Sequence, residues 1–237
     1  MRSPRAASAR RTTGTPEPDT AMPTLRDDTF RAIADLMHRS VGLSFGEHKK
    51  PLVASRLAPR LARLGLDDYR DYLSLISGQD DQGEFQVAVD LLTTNETYFF
   101  RESSHYALME QELSRERPRT VRVWSAASSF GDEAYSAAMV LADLQQQGRI
   151  GEDWSVLGTD ISDRVLRSAQ QAIFPNERLR EVSAERLKRY FWRGEGEAEG
   201  LSRCSRASAN ACASASSTCA CRSPTSAPST SSSCATC

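Results

Sequence analysis

The sequence predicts an α/β protein: an all-α N-terminal helical domain, then a partial Rossmann-like, doubly wound domain. Three observations carry this. Between residues 26 and 93 apolar side chains recur at helical spacing. From Thr120 the period switches to strand alternation, and strand, turn, helix and strand follow one another as a βαβ unit, whose parallel strands belong to a doubly wound sheet. Beyond Gly200 the composition changes abruptly, with no Asp, Glu, Gly, Phe, Ile, Val, Tyr or Trp.

Taken in order, residues 1–24 are rich in Arg, Ser, Thr, Ala and Pro without hydrophobic periodicity, and read as a disordered tail. Met22 is a second candidate start. Residues 25–93 form the helical domain. Phe30, Ile33, Leu36 and Met37 make the first stripe, closed by Gly42. A second helix, about Lys49–Leu64, turns Leu52, Val53, Leu57, Leu61 and Leu64 inward. Pro51 suits its first turn, and Pro59 is expected to kink it. Tyr69–Ile76 and Phe85–Leu92 complete four helices.

The outer side of the second helix carries Lys49, Lys50, Arg56, Arg60 and Arg63, with Glu47 the only acid nearby. A run of charge is most often a solvated face. This one lacks the mixed signs of a salt-bridge ladder, so an acidic partner is the alternative. Nucleic acid is disfavoured, because the formal net charge is −1 and no recognised binding motif is present. No apolar run of membrane-spanning length and no signal-peptide core occur, so a cytoplasmic protein without membrane insertion is expected, and a monomer. No metal site is expected.

Residues 94–200 are read as the second domain. It opens on Thr94, Asn95, Glu96, Thr97, Tyr98, Phe99, Phe100 and Arg101. A helix N-terminus capped by Thr94 or Asn95 accounts for the polar residues. It leaves Arg101 and the aromatic triplet unexplained. A helix at about 102–115 precedes the strand Thr120–Ala126, the turn 127–133, the helix Ala134–Gln147, the strand Ser155–Asp160 and the helix Asp163–Ala172. In such a sheet the ligand lies beyond the carboxyl ends of the strands. Glu133 starts the first helix there, and Asp160, ending the second strand, suits a ribose hydroxyl. The turn has one glycine, Gly131, and no phosphate-binding lysine, which points to a cofactor without phosphates: S-adenosyl-L-methionine. Taken singly, Glu133 is equally a favourable helix-start charge and Asp160 a turn cap.

Three motifs then carry a resemblance: the run Thr94–Glu102, the run Val123–Ser136 and the run Gly158–Ser162. Together they resemble the CheR-type chemotaxis receptor methyltransferases, over about residues 26–200. The resemblance implies methyl transfer from S-adenosyl-L-methionine to glutamate side chains on the acidic cytoplasmic helices of chemoreceptors. It implies that Asn95, Thr97, Arg101, Glu133 and Asp160 contact the cofactor, with Arg101 also at the reaction centre. The basic helix, through Lys49, Lys50, Arg56, Arg60 and Arg63, would meet the receptor. A glutamate is already ionised at neutral pH, so no general base is required; positioning and desolvation suffice. The sequence departs from the family pattern at Phe130, Asp132 and Ala134, and the Phe130 ring is expected to crowd the cofactor. A non-catalytic receptor-binding module and a methyltransferase for another carboxylate or small molecule are the alternatives.

Residues 201–237 are low in complexity and hold all six cysteines of the chain. No strand or core contribution is expected from them. Cys234 and Cys237 have metal-site spacing, and Cys219 and Cys221 form another close pair, but neither pair has hydrophobic anchors around it. A shifted reading frame explains the composition better. Joining the third base of each codon to the first two of the next turns residues 228–237 into Phe-Asp-Val-Val-Phe-Val-Arg-Asn-Val with suitable synonymous codons, the kind of strand the resemblance calls for. The same operation on residues 217–219 permits Asn-Leu. On this reading the tail is an out-of-frame second half, and the chain as it stands is an inactive, truncated methyltransferase.

Overall fold

The computed structural model describes residues 23–78 and 83–205, and the backbone of residues 218–222. The N-terminal helices are α1 (Asp27–Val41), α2 (Lys50–Leu64), α3 (Tyr69–Ser77) and α4 (Glu84–Leu92), with a 3-10 turn at Glu47–Lys49. Each stops for a local reason. Gly42 and Gly65 take left-handed conformations after α1 and α2 and return their N–H groups to the last carbonyls. Asp68 caps α3, its side chain accepting from the Arg70 N–H. Phe30, Ile33, Met37, Val53, Leu57, Leu61, Tyr72 and Val89 form the shared core, each essentially inaccessible. Burial of each such side chain contributes about 1.5–3 kcal/mol.

Two details of α2 differ from expectation. The helix runs unbroken through Pro59, which lies on its exposed side. Leu64 is exposed rather than inward, because it falls in the last turn, past the reach of the neighbouring helices. One polar cluster lies inside this unit. Glu84 is buried, pairs with the Arg60 guanidinium through both oxygens and accepts from the Tyr72 hydroxyl at 2.9 Å.

The second unit begins with α5 (Ser103–Glu116), followed by β1 (Thr120–Ala126), α6 (Asp132–Gln146), β2 (Asp153–Thr159) and α7 (Asp163–Gln171). β1 and β2 pair in parallel, Thr120 opposite Asp153 through Ala126 opposite Thr159. Their carboxyl ends therefore lie side by side. Most of α6 is buried, from Ala134 to Leu144, as befits a helix that is apolar almost all round.

Residues 173–204 add what the sequence reading did not anticipate. β3 (Ile173–Pro175), β4 (Phe191–Arg193) and β5 (Leu201–Cys204) form an antiparallel sheet in the order β3-β5-β4, with α8 (Ala184–Tyr190) and a 3-10 turn at Asn176–Leu179 between them. Strands of three or four residues are too short to declare a period. The expectation that nothing beyond Gly200 supplies a strand or core fails for Leu201–Cys204, and its strand half fails again at Thr218–Arg222. In the first case β5 sits between two partners, and Cys204 is buried. The backbone of β6 (Thr218–Arg222) pairs antiparallel with β2. The disorder expected of residues 1–22, the Cys234/Cys237 pair, and the stretch that reads as a strand in the shifted frame fall outside the described residues.

Glu84→Ala should cost about 3–5 kcal/mol of stability in urea unfolding, because it strands the Arg60 charge and the Tyr72 hydroxyl together. A loss below about 1 kcal/mol would show that the cluster is incidental.

Candidate functional site

A cleft of about 630 Å³ opens where the carboxyl ends of β1 and β2 meet the irregular linker after α4 and the first turns of α5. Asn95, Thr97, Arg101, Glu133 and Asp160, separated by up to 65 positions in the chain, all line it.

The linker is built by its aromatic residues. No helix starts at Thr94 or Asn95; α5 starts at Ser103. Phe99 is fully buried, its ring edge-on to Phe174 at 4.8 Å and to Phe191 at 5.4 Å. Its N–H donates to the Arg178 carbonyl at 3.0 Å. Phe100 is buried too, and its N–H donates to Ser136 Oγ at 2.9 Å. These anchors hold Phe100 and Glu102 at φ of 56° and 54°, left-handed values that non-glycine residues adopt at a cost of about 1–3 kcal/mol each. Tyr98 is left facing the cleft, stacked under the Arg180 guanidinium at 4.2 Å. Arg101 donates to the Glu96 carbonyl at 2.7 Å and is exposed at the cleft wall.

The opposite wall is the turn after β1. Ala127, Ser129 and Gly131 all have positive φ. Ser128 N–H donates to the Thr159 carbonyl at 2.8 Å, stitching the turn to the end of β2. Gly131 is required twice over: φ is +92°, and a Cβ there would meet Ala169 Cβ at 3.0 Å and the Tyr135 ring at 3.1 Å. Asp160 also shapes the turn. Oδ2 accepts from Ser129 N–H at 2.8 Å and Oδ1 from Ser162 N–H at 2.9 Å. Each oxygen keeps a further lone pair. Glu133 Oε1 accepts from Ser125 Oγ at 2.7 Å.

The charges around the cleft are uneven. Glu96, Glu102, Glu133 and Asp160 line it, against Arg101 and His105. Such a wall repels phosphates and favours a ligand carrying positive charge. The Ser128 and Ser129 hydroxyls, buried at the cleft wall, have no hydrogen-bond partner among the described residues, which leaves two polar groups for a ligand. A cofactor with a sulfonium, an ammonium and ribose hydroxyls fits these residues.

Phe130 does not crowd the cleft. Its ring lies outside the lining, flat against the Arg178 guanidinium at 4.0 Å, with Arg164 at 5.8 Å. Arg178 also reaches Oδ2 of Asp132 at 3.4 Å. Asp132 is completely buried and its Oδ1 has no partner among the described residues. Burial pushes its carboxyl up to about 6, against the opposing pull of Arg178.

The basic face of α2 is less free than the sequence implies. Arg60 is committed to Glu84, Lys50 to Asp27, and Arg56 to the end of α4. Their partners lie 23 or more positions away, so local charge counting could not find them. The Lys49 and Arg63 side chains have no hydrogen-bond or ion-pair partner among the described residues, although the Lys49 N–H donates to the Gly46 carbonyl.

Residues that sequence reasoning missed include Tyr98, His105, Tyr106 and Trp124. Trp124 is 68% exposed and its ring N–H donates to Thr159 Oγ1 at 3.0 Å. An aromatic at the outward position of a sheet strand was the available signal. Burial, then the charge of Glu133, pushes the Tyr106 phenol up to about 12, so it stays protonated as a donor.

Comparison with known proteins gives the family. The family model described as the CheR methyltransferase all-alpha domain matches residues 28–93, and that described as the CheR methyltransferase SAM binding domain matches residues 95–211. The chain belongs to the CheR methyltransferase family. Its curated relatives include the chemotaxis protein methyltransferases of Escherichia coli (strain K12) and Salmonella typhimurium. Each is 41% identical over 186 residues, covering 78% of this chain and 64% of the relative. Chemotaxis protein methyltransferase 2 of Pseudomonas aeruginosa is 38% identical over 182 residues, 75% of this chain and 62% of that one. The chain thus spans somewhat under two thirds of the length of these relatives. Among the described residues no helix is long and apolar enough to cross a membrane.

Asp132 yields a pH test. Its folded pKa of about 6 lies above the ordinary 3.8, so its ionisation costs the folded state stability as pH rises through that window. Asn at this position carries no such cost. Wild type should therefore lose about 1–2 kcal/mol relative to Asp132→Asn between about pH 4.5 and pH 7.5. Thermal melts of both proteins across that range check it, and a pH-independent difference would contradict it.

Proposed function

We propose that the chain is built to methylate glutamate side chains of chemoreceptor cytoplasmic helices, using S-adenosyl-L-methionine, as a protein-glutamate O-methyltransferase. The observation that carries this is the carboxylate-lined, phosphate-averse cleft, with Asn95, Thr97, Arg101, Glu133 and Asp160 on its walls, in a chain of the CheR family. That the relatives are chemotaxis protein methyltransferases supports the substrate class. A cytoplasmic location follows from that substrate.

When bound, the cofactor supplies a methyl group on a sulfonium. Asp160 and the Ser128 and Ser129 hydroxyls would hold its ribose and neighbouring groups, and Glu133 and Asn95 its polar ends. Arg101 has a second task. An incoming glutamate carboxylate meets a wall of like charge, and the Arg101 guanidinium is the cation on that wall that offsets the repulsion and orients the attacking oxygen. Tyr98, Tyr106 and Trp124 exclude water around the two reactants. Lys49, just before α2, and Arg63 in its last turn are the cations left to attract an acidic helix.

The domain plan belongs to the same proposal: residues 25–93 face the receptor, 94–200 begin the cofactor domain, and residues 201–237 are an out-of-frame tail. In support, both faces of a doubly wound sheet are ordinarily covered. Yet Trp124 and Leu157, neighbours across β1 and β2, are 68% and 40% exposed.

The coding DNA decides the frame: the shifted frame should run on without early stops through the Phe-Asp-Val stretch, and early stops would end that idea. Calorimetry decides the cofactor. The frame-restored protein should bind S-adenosyl-L-methionine in the micromolar range and the chain as it stands far more weakly. Glu133→Gln in the restored protein should weaken binding about tenfold or more. Tight binding by the unrestored chain would contradict the inactive reading. Labelled methyl transfer to receptor fragments, with no transfer to free dicarboxylates, would distinguish the protein substrate from a small one.

A further inference from the structure

The sequence places Arg56 among the outward cations of α2, but its side chain turns inward to the end of α4. One guanidinium nitrogen donates to the Leu92 carbonyl at 2.8 Å and the Thr93 carbonyl at 3.1 Å. The other donates to Thr94 Oγ1 at 3.0 Å. The two carbonyls belong to the last turn of a helix, where no following residue pairs them and the dipole favours a cation. Thr93 extends the set: its hydroxyl donates to the Asp90 carbonyl at 3.2 Å and accepts from Asn95 Nδ2 at 3.3 Å. Thr93, Thr94 and Asn95 all line the cleft.

We propose that Arg56 is a positioning residue for the cleft, fixing Thr94 directly and Asn95 through Thr93, and is not a contact for an acidic partner. The inference rests on reading the cleft as the cofactor site. It reassigns Arg56 from the partner-facing surface to the cofactor-facing one and leaves partner attraction to Lys49 and Arg63. The task needs a guanidinium. Its planar fork reaches three acceptors in two directions, which a single ammonium on a flexible stem cannot do together.

Hydrogen exchange by mass spectrometry on the full chain tests this without any cofactor, so failure of the cofactor reading and failure of this inference remain separable. In Arg56→Gln and in Arg56→Lys the hydrogen-bonded amides of residues 90–93, the last turn of α4, should exchange about tenfold faster or more, while α1 and α5 keep wild-type protection. Lys49→Glu combined with Arg63→Glu should leave exchange at residues 90–93 unchanged. Binding of a poly-glutamate peptide supplies the second readout. It should be unaffected by Arg56→Gln and fall at least about fivefold in the Lys49/Arg63 double variant. Unchanged exchange at 90–93 in Arg56→Gln, loss of protection spread equally over α1–α4, or loss of peptide binding restored by Arg56→Lys would each overturn the proposal.

Discussion

Burial of Phe99 is the constraint on which the site depends. Its ring is wedged edge-on between Phe174 of β3 and Phe191 of β4, and its N–H is tied to the Arg178 carbonyl. One residue thereby joins the linker, the small antiparallel sheet and, through Arg178, the turn that carries Phe130 and Asp132. With Phe99 and Phe100 pinned inward, the chain alternates: Tyr98 and Arg101 face the cleft. The left-handed conformations at Phe100 and Glu102 are the local cost of that geometry, offset by the aromatic packing.

The second wall is organised by hydrogen bonds. Asp160 accepts from the Ser129 N–H of the turn and from the Ser162 N–H at the start of α7, and the Thr159 carbonyl accepts a second N–H of the turn, from Ser128. A carboxylate that shapes the turn and still has lone pairs free can serve structure and ligand together. The sequence alternatives for Asp160, turn cap or cofactor acceptor, are therefore compatible in one residue. Arg56 does the opposite: a residue that reads as surface charge spends its donors inside the chain.

Much of the fold was legible because it rests on local signals. The stripe from Phe30 to Met37, the alternation at Thr120–Ala126 and the punctuation by Gly42 and Gly65 each fixed an element within a residue or two of its observed limits. The cleft residues were legible because topology places strand ends together, so Glu133 and Asp160 had to converge. What escaped depends on distant partners. Arg60 found Glu84, Arg56 found Leu92 and Thr93, and Phe130 found Arg178, none of which spacing could announce. The strands Ile173–Pro175, Phe191–Arg193 and Leu201–Cys204 are held by pairing and by the aromatic cluster rather than by pattern. Leu201–Cys204 is a strand where the composition beyond Gly200 promised none.

The central claim is that the cleft between the 94–101 linker and the 127–133 turn takes S-adenosyl-L-methionine. Photo-crosslinking of radiolabelled S-adenosyl-L-methionine to the frame-restored protein, followed by peptide mapping, tests it most directly. The account predicts label in peptides containing residues 94–106 or 123–133, competed away by unlabelled cofactor. Competable label on α2 or the small sheet instead, with none at the cleft, would contradict it.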